Sequence, residues 1–169
     1  MIYAIIRGWL AGMAVLLIEI LFGAFLFAPS FSPPLSSETF APSFLPIAFI
    51  ALLEEGMKFI ALRGISKEMT PFFRNAIFKG LLVGLGFALF EICIKILFYT
   101  ESPTKDPFVL GTMSSTSLHI ITGGILGAAW FSRIKERSPI ILLAFFLLAF
   151  IIHTLYNSLL APILFSHVS

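Results

Sequence analysis

The sequence predicts an all-α, polytopic membrane bundle of about five transmembrane helices, forming a single domain over residues 1–169. Hydrophobic residues make up 59% of the chain and charged residues only 12%, whereas a soluble domain carries roughly 25% charged residues. Mean hydropathy is +1.03. The chain has 11 Lys and Arg and a net charge of +2, which is too little positive charge to neutralise a phosphate backbone. A soluble domain and a nucleic-acid partner are therefore excluded.

Five apolar segments carry the prediction of transmembrane helices, because hydrocarbon about 30 Å thick requires about 20 helical residues per span. They cover approximately residues 3–28, 44–62, 76–99, 112–131 and 139–160. The first could instead be a signal peptide. We expect it to be a retained anchor, since it is longer than a typical signal core and lacks a clear A-x-A cleavage site.

The positive charges between these segments alternate from gap to gap. Lys and Arg concentrate in the second and fourth gaps, as Arg63, Lys67, Arg74, Lys79, Arg133, Lys135 and Arg137. Short loops rich in Lys and Arg lie on the cytoplasmic side. The pattern, with Arg7 near the start, predicts an N-terminus inside and a C-terminus outside. We expect a multi-pass protein in the lipid bilayer of a prokaryotic cytoplasmic membrane.

Ionisable residues within the apolar segments are the informative ones, because each is costly in lipid unless it faces the bundle or a water-filled cavity. They are Glu19, Glu54, Glu55, Lys58, Glu91, Lys95, His119 and His153, with Asn157 as a neutral companion. At about 1.5 Å per residue, four different helices place such groups in one layer, from the midplane into the outer leaflet. The shared depth predicts that they meet at one site.

Helical spacing refines this prediction. His153 and Asn157 are separated by four residues and therefore share a helix face. Lys58 follows Glu54 by four residues and Glu55 by three, so it can neutralise one carboxylate and leave the other available.

Two polar residues allow a purely structural reading. Glu91 and Lys95 also form a pair four residues apart, which can serve packing alone. For Glu19, distant from the other groups in sequence, we expect a packing or snorkelling contact.

Two adjacent carboxylates and two histidines favour peptide hydrolysis. Glu54 can serve as the general base that takes a proton from water, while histidine and the amide of Asn157 can stabilise the oxyanion. His119, His153 and Glu54 could instead bind Zn²⁺, since two histidines and one glutamate form a known ligand set. The absence of H-E-x-x-H counts against a conventional zinc protease. Because only the two histidines are good soft ligands and Asn157 is a poor one, we favour a site without a metal cofactor and keep zinc as the alternative.

Four motifs in order resemble the PrsW family of intramembrane proteases, grouped with the CAAX prenyl endopeptidases and bacteriocin-processing proteins. They are Glu54-Glu55-x-x-Lys58, Gly86-Phe87-x-x-x-Glu91, His119 with Gly123 and Gly127, and His153-x-x-Tyr156-Asn157.

The resemblance implies roles for individual residues. Glu54 would activate water and Glu55 would help to orient the site. The remaining groups of the site would hold water and the oxyanion, and these are His119, His153 and Asn157. Glu91 matches an acidic position of the family and, with Lys58, would support the site.

The predicted function is therefore an intramembrane endopeptidase acting on a membrane-associated protein or peptide. Two alternatives remain: a proton-coupled transporter, because buried carboxylates and histidines also form proton relays, and a non-catalytic scaffold of the same fold. No feature of the sequence indicates an oligomeric state.

Overall fold

The computed structural model describes residues 1–27, 44–65, 72–98, 105–134 and 138–160, and these contain helices and no strand. The helices are α1 (Ile2–Phe27), α2 (Phe44–Ile65), α3 (Phe73–Phe98), α4 (Lys105–Ile134) and α5 (Pro139–Leu155), followed by a π-helical turn (Tyr156–Leu160). The all-α prediction is confirmed. The fourth helix begins at Lys105 rather than near residue 112, because the prediction followed only the apolar stretch.

Four helices are long and apolar enough to cross a membrane. Their apolar windows are Ile2–Leu21, Phe73–Leu97, Val109–Ser132 and Pro139–Leu159. Helix α2 has 22 residues, a length of about 33 Å at 1.5 Å per residue. It falls outside this group because of its charged residues, Glu54, Glu55, Lys58 and Arg63. Its crossing of the membrane stays a prediction that rests on length.

The outer surface of the bundle is apolar. Helix α5 alone exposes Ile140, Leu143, Leu147, Leu148 and Ile151. Contiguous exposed apolar surface of this extent marks a membrane-facing protein, so the four apolar helices indicate a multi-pass membrane protein.

Helices α3 and α4 form the most extensive contact between two helices, and glycines make it close. A Cβ atom added to Gly80 would collide with the carbonyl of Gly123, and one added to Gly84 would collide with the carbonyl of His119. The paired positions rise along α3 and fall along α4, so these helices are antiparallel. Small residues let transmembrane backbones approach closely, and here they set how near His119 lies to α3.

Helix α1 packs against α3 and α2. Gly8 meets the Val83 carbonyl, and the side chain of Arg7 covers Gly64 at the end of α2. Several charges behind the predicted orientation lie outside the described residues, namely Lys67, Lys135 and Arg137. The side chain of Arg133 is also not described. The orientation of the termini therefore stays a prediction.

Candidate functional site

The predicted convergence of polar residues from four helices is present in the structure. Glu55, on α2, lies at its centre with a fully buried side chain. Its Oε1 atom lies 2.6 Å from Lys58 Nζ and 2.5 Å from Nδ1 of His153 on α5. Since an ionised carboxylate only accepts hydrogen bonds, Nδ1 of His153 is the donor. Glu55 therefore links α2 to α5.

Lys58 is also fully buried and uses its three donor positions within the bundle. Besides Glu55, its Nζ atom lies 2.9 Å from His119 Nδ1 and donates to Thr122 Oγ1 at 3.1 Å. Lys58 thus neutralises Glu55 and joins α2 to α4. As predicted, one carboxylate of the double-Glu motif is paired and the other is left.

Glu91, on α3, uses both carboxylate oxygens. Its Oε1 lies 2.6 Å from Lys95 Nζ, so the predicted ion pair exists. Its Oε2 accepts from Ser115 Oγ at 2.6 Å and lies 2.6 Å from Nε2 of His119. The purely structural reading of the Glu91–Lys95 pair is therefore incomplete, because the same carboxylate contacts a histidine of the site.

Glu54 is the carboxylate that Lys58 leaves unpaired. Its Oε2 atom lies 2.9 Å from His153 Nε2, yet this buried atom has no hydrogen-bond partner within the described helices. Because Nδ1 of His153 donates to Glu55, a neutral His153 presents a lone pair at Nε2 toward Glu54. Two electron-rich atoms at this separation are suited to share a proton or a cation.

Aromatic rings enclose the histidines. The rings of His119 and His153 lie 5.2 Å apart, centroid to centroid, and the Phe87 ring lies 4.9 Å from His119. Lys58 Nζ is 4.9 Å from the centre of the Phe87 ring. Phe87 is buried, so the inner face of the site is apolar, whereas the Glu54 and Glu91 side chains are 16% and 30% exposed.

The donor set of Glu54, His119 and His153 has the chemistry of a metal centre. One ligand atom from each lies within 4.8 Å of the others, and two histidines with one glutamate form a catalytic zinc set. Each histidine contacts a further carboxylate through one ring nitrogen, Nε2 of His119 with Glu91 and Nδ1 of His153 with Glu55. Such backing is usual for metal-ligating histidines. The residues present therefore fit a divalent metal ion.

Asn157 lies on the π-helical turn rather than on α5 itself. The helix widens from Tyr156 onward, so the offset between His153 and Asn157 departs from that of a regular α-helix. The hydroxyl of Tyr156 lies 2.6 Å from Ser114 Oγ and ties this turn to α4. Asn157 is half-buried, and its role in binding the oxyanion stays a prediction.

Three residues extend the predicted constellation. Thr122 receives a hydrogen bond from Lys58, and Ser115 donates one to Glu91. The signal for Thr122 was its position three residues after His119, on the same helix face. Glu19 of α1 lies within electrostatic range of Glu54 and Glu91, which its sequence position did not indicate.

A comparison with protein-family models matches residues 1–168 to the family described as PrsW family intramembrane metalloprotease. Searches of curated proteins and of solved structures gave no significant match.

Proposed function

This chain belongs to the PrsW family of intramembrane metalloproteases, and from that premise we propose that it hydrolyses a peptide bond of a membrane-associated protein or peptide at the site of Glu54, His119 and His153. The family implies membrane protease activity. The observation that carries the residue assignment is the meeting of these three groups, from three helices, with ligand atoms within 4.8 Å of one another.

A divalent metal ion, with zinc as the first candidate, is the cofactor we favour. The family description names a metalloprotease, and each histidine has a carboxylate beside one ring nitrogen, Glu91 for His119 and Glu55 for His153. The unpaired Oε2 of Glu54 supplies the charged ligand. This choice reverses the preference drawn from the sequence, where two histidines as the only good soft ligands favoured a metal-free site.

The residues of the chain have separate tasks in this proposal. When bound, a divalent ion supplies a Lewis acid that polarises the peptide carbonyl and lowers the pKa of water. Glu54, His119 and His153 hold the ion. Glu55 and Glu91 orient the two histidines. The amide of Asn157 is available to donate a hydrogen bond to the oxyanion that forms.

The metal-free mechanism uses the same residues differently. Glu54 lacks an ammonium partner, so it can take the proton from an attacking water, and the histidines with Asn157 stabilise the oxyanion. Both versions require Glu54, so its substitution tests the activity, and metal analysis separates the two.

The test uses the full-length protein, purified in detergent and returned to lipid vesicles. A panel of single-span membrane peptides is the substrate, and mass spectrometry detects cleavage. We expect Glu54→Gln to abolish the cleavage that the wild type gives. Gly56→Ala is the matched control, because a Cβ atom there meets nothing within 4 Å. Full cleavage by Glu54→Gln would refute the proposal.

Metal dependence is measured on the same preparations. We expect about one zinc ion per wild-type chain, loss of cleavage with a chelator, recovery when zinc is returned, and loss of the metal in His119→Ala. Cleavage that survives complete removal of metal would support the metal-free mechanism. Glu54-dependent proton flux into vesicles without cleavage of any peptide would instead favour the transporter alternative.

A further inference from the structure

We propose that Glu91 is the positioning residue of His119, holding its imidazole with the proton on Nε2 so that Nδ1 faces the site, whereas His153 carries its proton on Nδ1 and presents Nε2. The two histidines would therefore act through opposite nitrogens. The assignment of protons rests on hydrogen-bond geometry alone, and its consequence for catalysis rests on the proposed function.

Lys58 determines which nitrogen of His119 is the acceptor. An ammonium group donates hydrogen bonds and cannot accept them, and Lys58 Nζ lies 2.9 Å from His119 Nδ1. Nδ1 must therefore offer its lone pair, and the proton of a neutral ring lies on Nε2. That nitrogen is 2.6 Å from Glu91 Oε2, where a carboxylate is ready to accept. The two neighbours of His119 thus require the same tautomer.

The neighbours of His153 require the other tautomer. Its Nδ1 atom lies 2.5 Å from Glu55 Oε1, so the proton lies between that nitrogen and the carboxylate. Nε2 then faces Glu54 Oε2 at 2.9 Å. Glu55 acts on His153 as Glu91 acts on His119, but through the opposite ring nitrogen.

Glu91 is itself held in place, as a positioning residue must be. Ser115 donates to the oxygen that receives His119, and Lys95 pairs with the other oxygen. Phe87, one helical turn earlier on α3, packs its ring 4.9 Å from the ring of His119. Helix α3 therefore fixes the imidazole at two points, its face through Phe87 and its Nε2 edge through Glu91.

This arrangement makes Lys58 and a metal ion compete for one lone pair. Lys58 uses Nδ1 of His119, and that is the nitrogen a metal ion would need. Metal binding would therefore move Lys58 Nζ away from His119, while Glu55 and Thr122 remain as its partners. Glu91 and the ring of Phe87 would then hold the orientation of His119.

Nitrogen NMR of the full-length protein, labelled with ¹⁵N-histidine in lipid nanodiscs, tests the tautomers directly. The chain has only three histidines, so His119→Gln and His153→Gln assign the signals. We expect the proton on Nε2 in His119 and on Nδ1 in His153. Adding Zn²⁺ should shift the unprotonated nitrogens, Nδ1 of His119 and Nε2 of His153. A proton on Nδ1 of metal-free His119 would overturn the assignment.

Variants of Glu91 test its positioning role. We expect Glu91→Leu to lose the strongly hydrogen-bonded Nε2 proton signal of His119 and to lower zinc affinity and kcat by about 10–100-fold, with little change in KM. Glu91→Gln keeps an oxygen that can accept from Nε2 and should recover part of both. Lys95→Gln is the comparison variant: it removes the ammonium partner of Glu91 but keeps the contact between Glu91 and His119, so both losses should be smaller than in Glu91→Leu.

Two outcomes would contradict the role of Glu91. One is an unchanged proton signal, zinc affinity and kcat in Glu91→Leu, and the other is an equal loss in Lys95→Gln, which would assign the effect to charge alone. If the wild type cleaves no peptide, the proposed function fails while the NMR signals still test the tautomers. The two proposals therefore fail separately.

Discussion

The α3–α4 contact and the polar cluster beside it differ in composition: the first consists mainly of small residues and the second of charged groups and histidines. Glycines dominate the contact, and there even a methyl group would strike the facing backbone. The cluster brings together three carboxylates, two ammonium groups and two histidines. Both occur at His119, whose carbonyl faces Gly84 while its ring faces Glu91 and Lys58. The difference shows that close packing fixes where the ring lies and polar contacts fix which atoms it presents.

Within the polar cluster, Glu54 and Glu55 are neighbours with different surroundings, and the largest expected effects separate them. Glu55→Gln leaves Lys58 buried beside a neutral group, and breaking such a pair costs about 3–5 kcal/mol. Glu54→Gln removes an oxygen that has no hydrogen bond, so the protein should stay folded and lose cleavage. Thermal unfolding in detergent, measured beside cleavage, checks both. Equal unfolding temperatures would contradict this distinction.

Asn157→Ala tests whether the functional site extends from the polar cluster to the π-helical turn. If its amide stabilises the oxyanion, kcat should fall by about 10²–10³-fold with KM nearly unchanged. Zinc affinity should stay the same, since Asn157 is not among the ligands we propose. Steady-state kinetics and a zinc-binding measurement check this. A normal kcat would remove Asn157 from the site.

Gly84→Ala disturbs the close packing of α3 against α4. The added methyl group meets the His119 carbonyl, so α4 must shift, and overpacking of this kind costs about 1–3 kcal/mol. Cleavage should fall as well, because His119 moves with its helix. Gly56→Ala, in open space, should change neither property. Unfolding temperature and cleavage rate of the two variants provide the measurement.

Glu19→Gln should give the smallest effect. Glu19 is half-buried on α1 and lies within electrostatic range of Glu54 and Glu91. Because Glu19 is near the reacting groups but is not one of them, we expect kcat to change by less than about tenfold. That factor corresponds to about 1.4 kcal/mol. Cleavage kinetics at low and high salt check it. A complete loss of cleavage would instead place Glu19 within the reacting groups.

Much of the site could be predicted from the sequence because ionisable residues are energetically costly in lipid and are therefore few. Glu54, Glu55, Lys58, His119 and His153 stand out in apolar segments, and an ionisable group there must face the bundle. Their common depth followed from the rise of a helix. The sequence did not show whether Lys58 pairs with Glu54 or with Glu55, because residues three and four positions apart both lie on the same helix face.

Other features could not be read because they depend on contacts between helices. Glu91 formed the expected pair with Lys95, but its contact with His119 requires the rotation of α3 against α4. The nearness of Glu19 requires α1 to pack beside α2 and α3. The π-helical turn at Tyr156–Leu160 is a local departure that hydrophobic periodicity does not encode.

The sequence by itself determined the class of the molecule, the helical segments and the short set of residues able to do chemistry, because hydrocarbon tolerates only apolar helices and polar groups that face inward. Only the tertiary structure decided which carboxylate pairs with Lys58, which nitrogen each histidine presents and that Oε2 of Glu54 faces His153 without a hydrogen bond. These pairings depend on the relative positions of side-chain atoms to within less than a hydrogen-bond length, and the packing of one helix against another determines those positions.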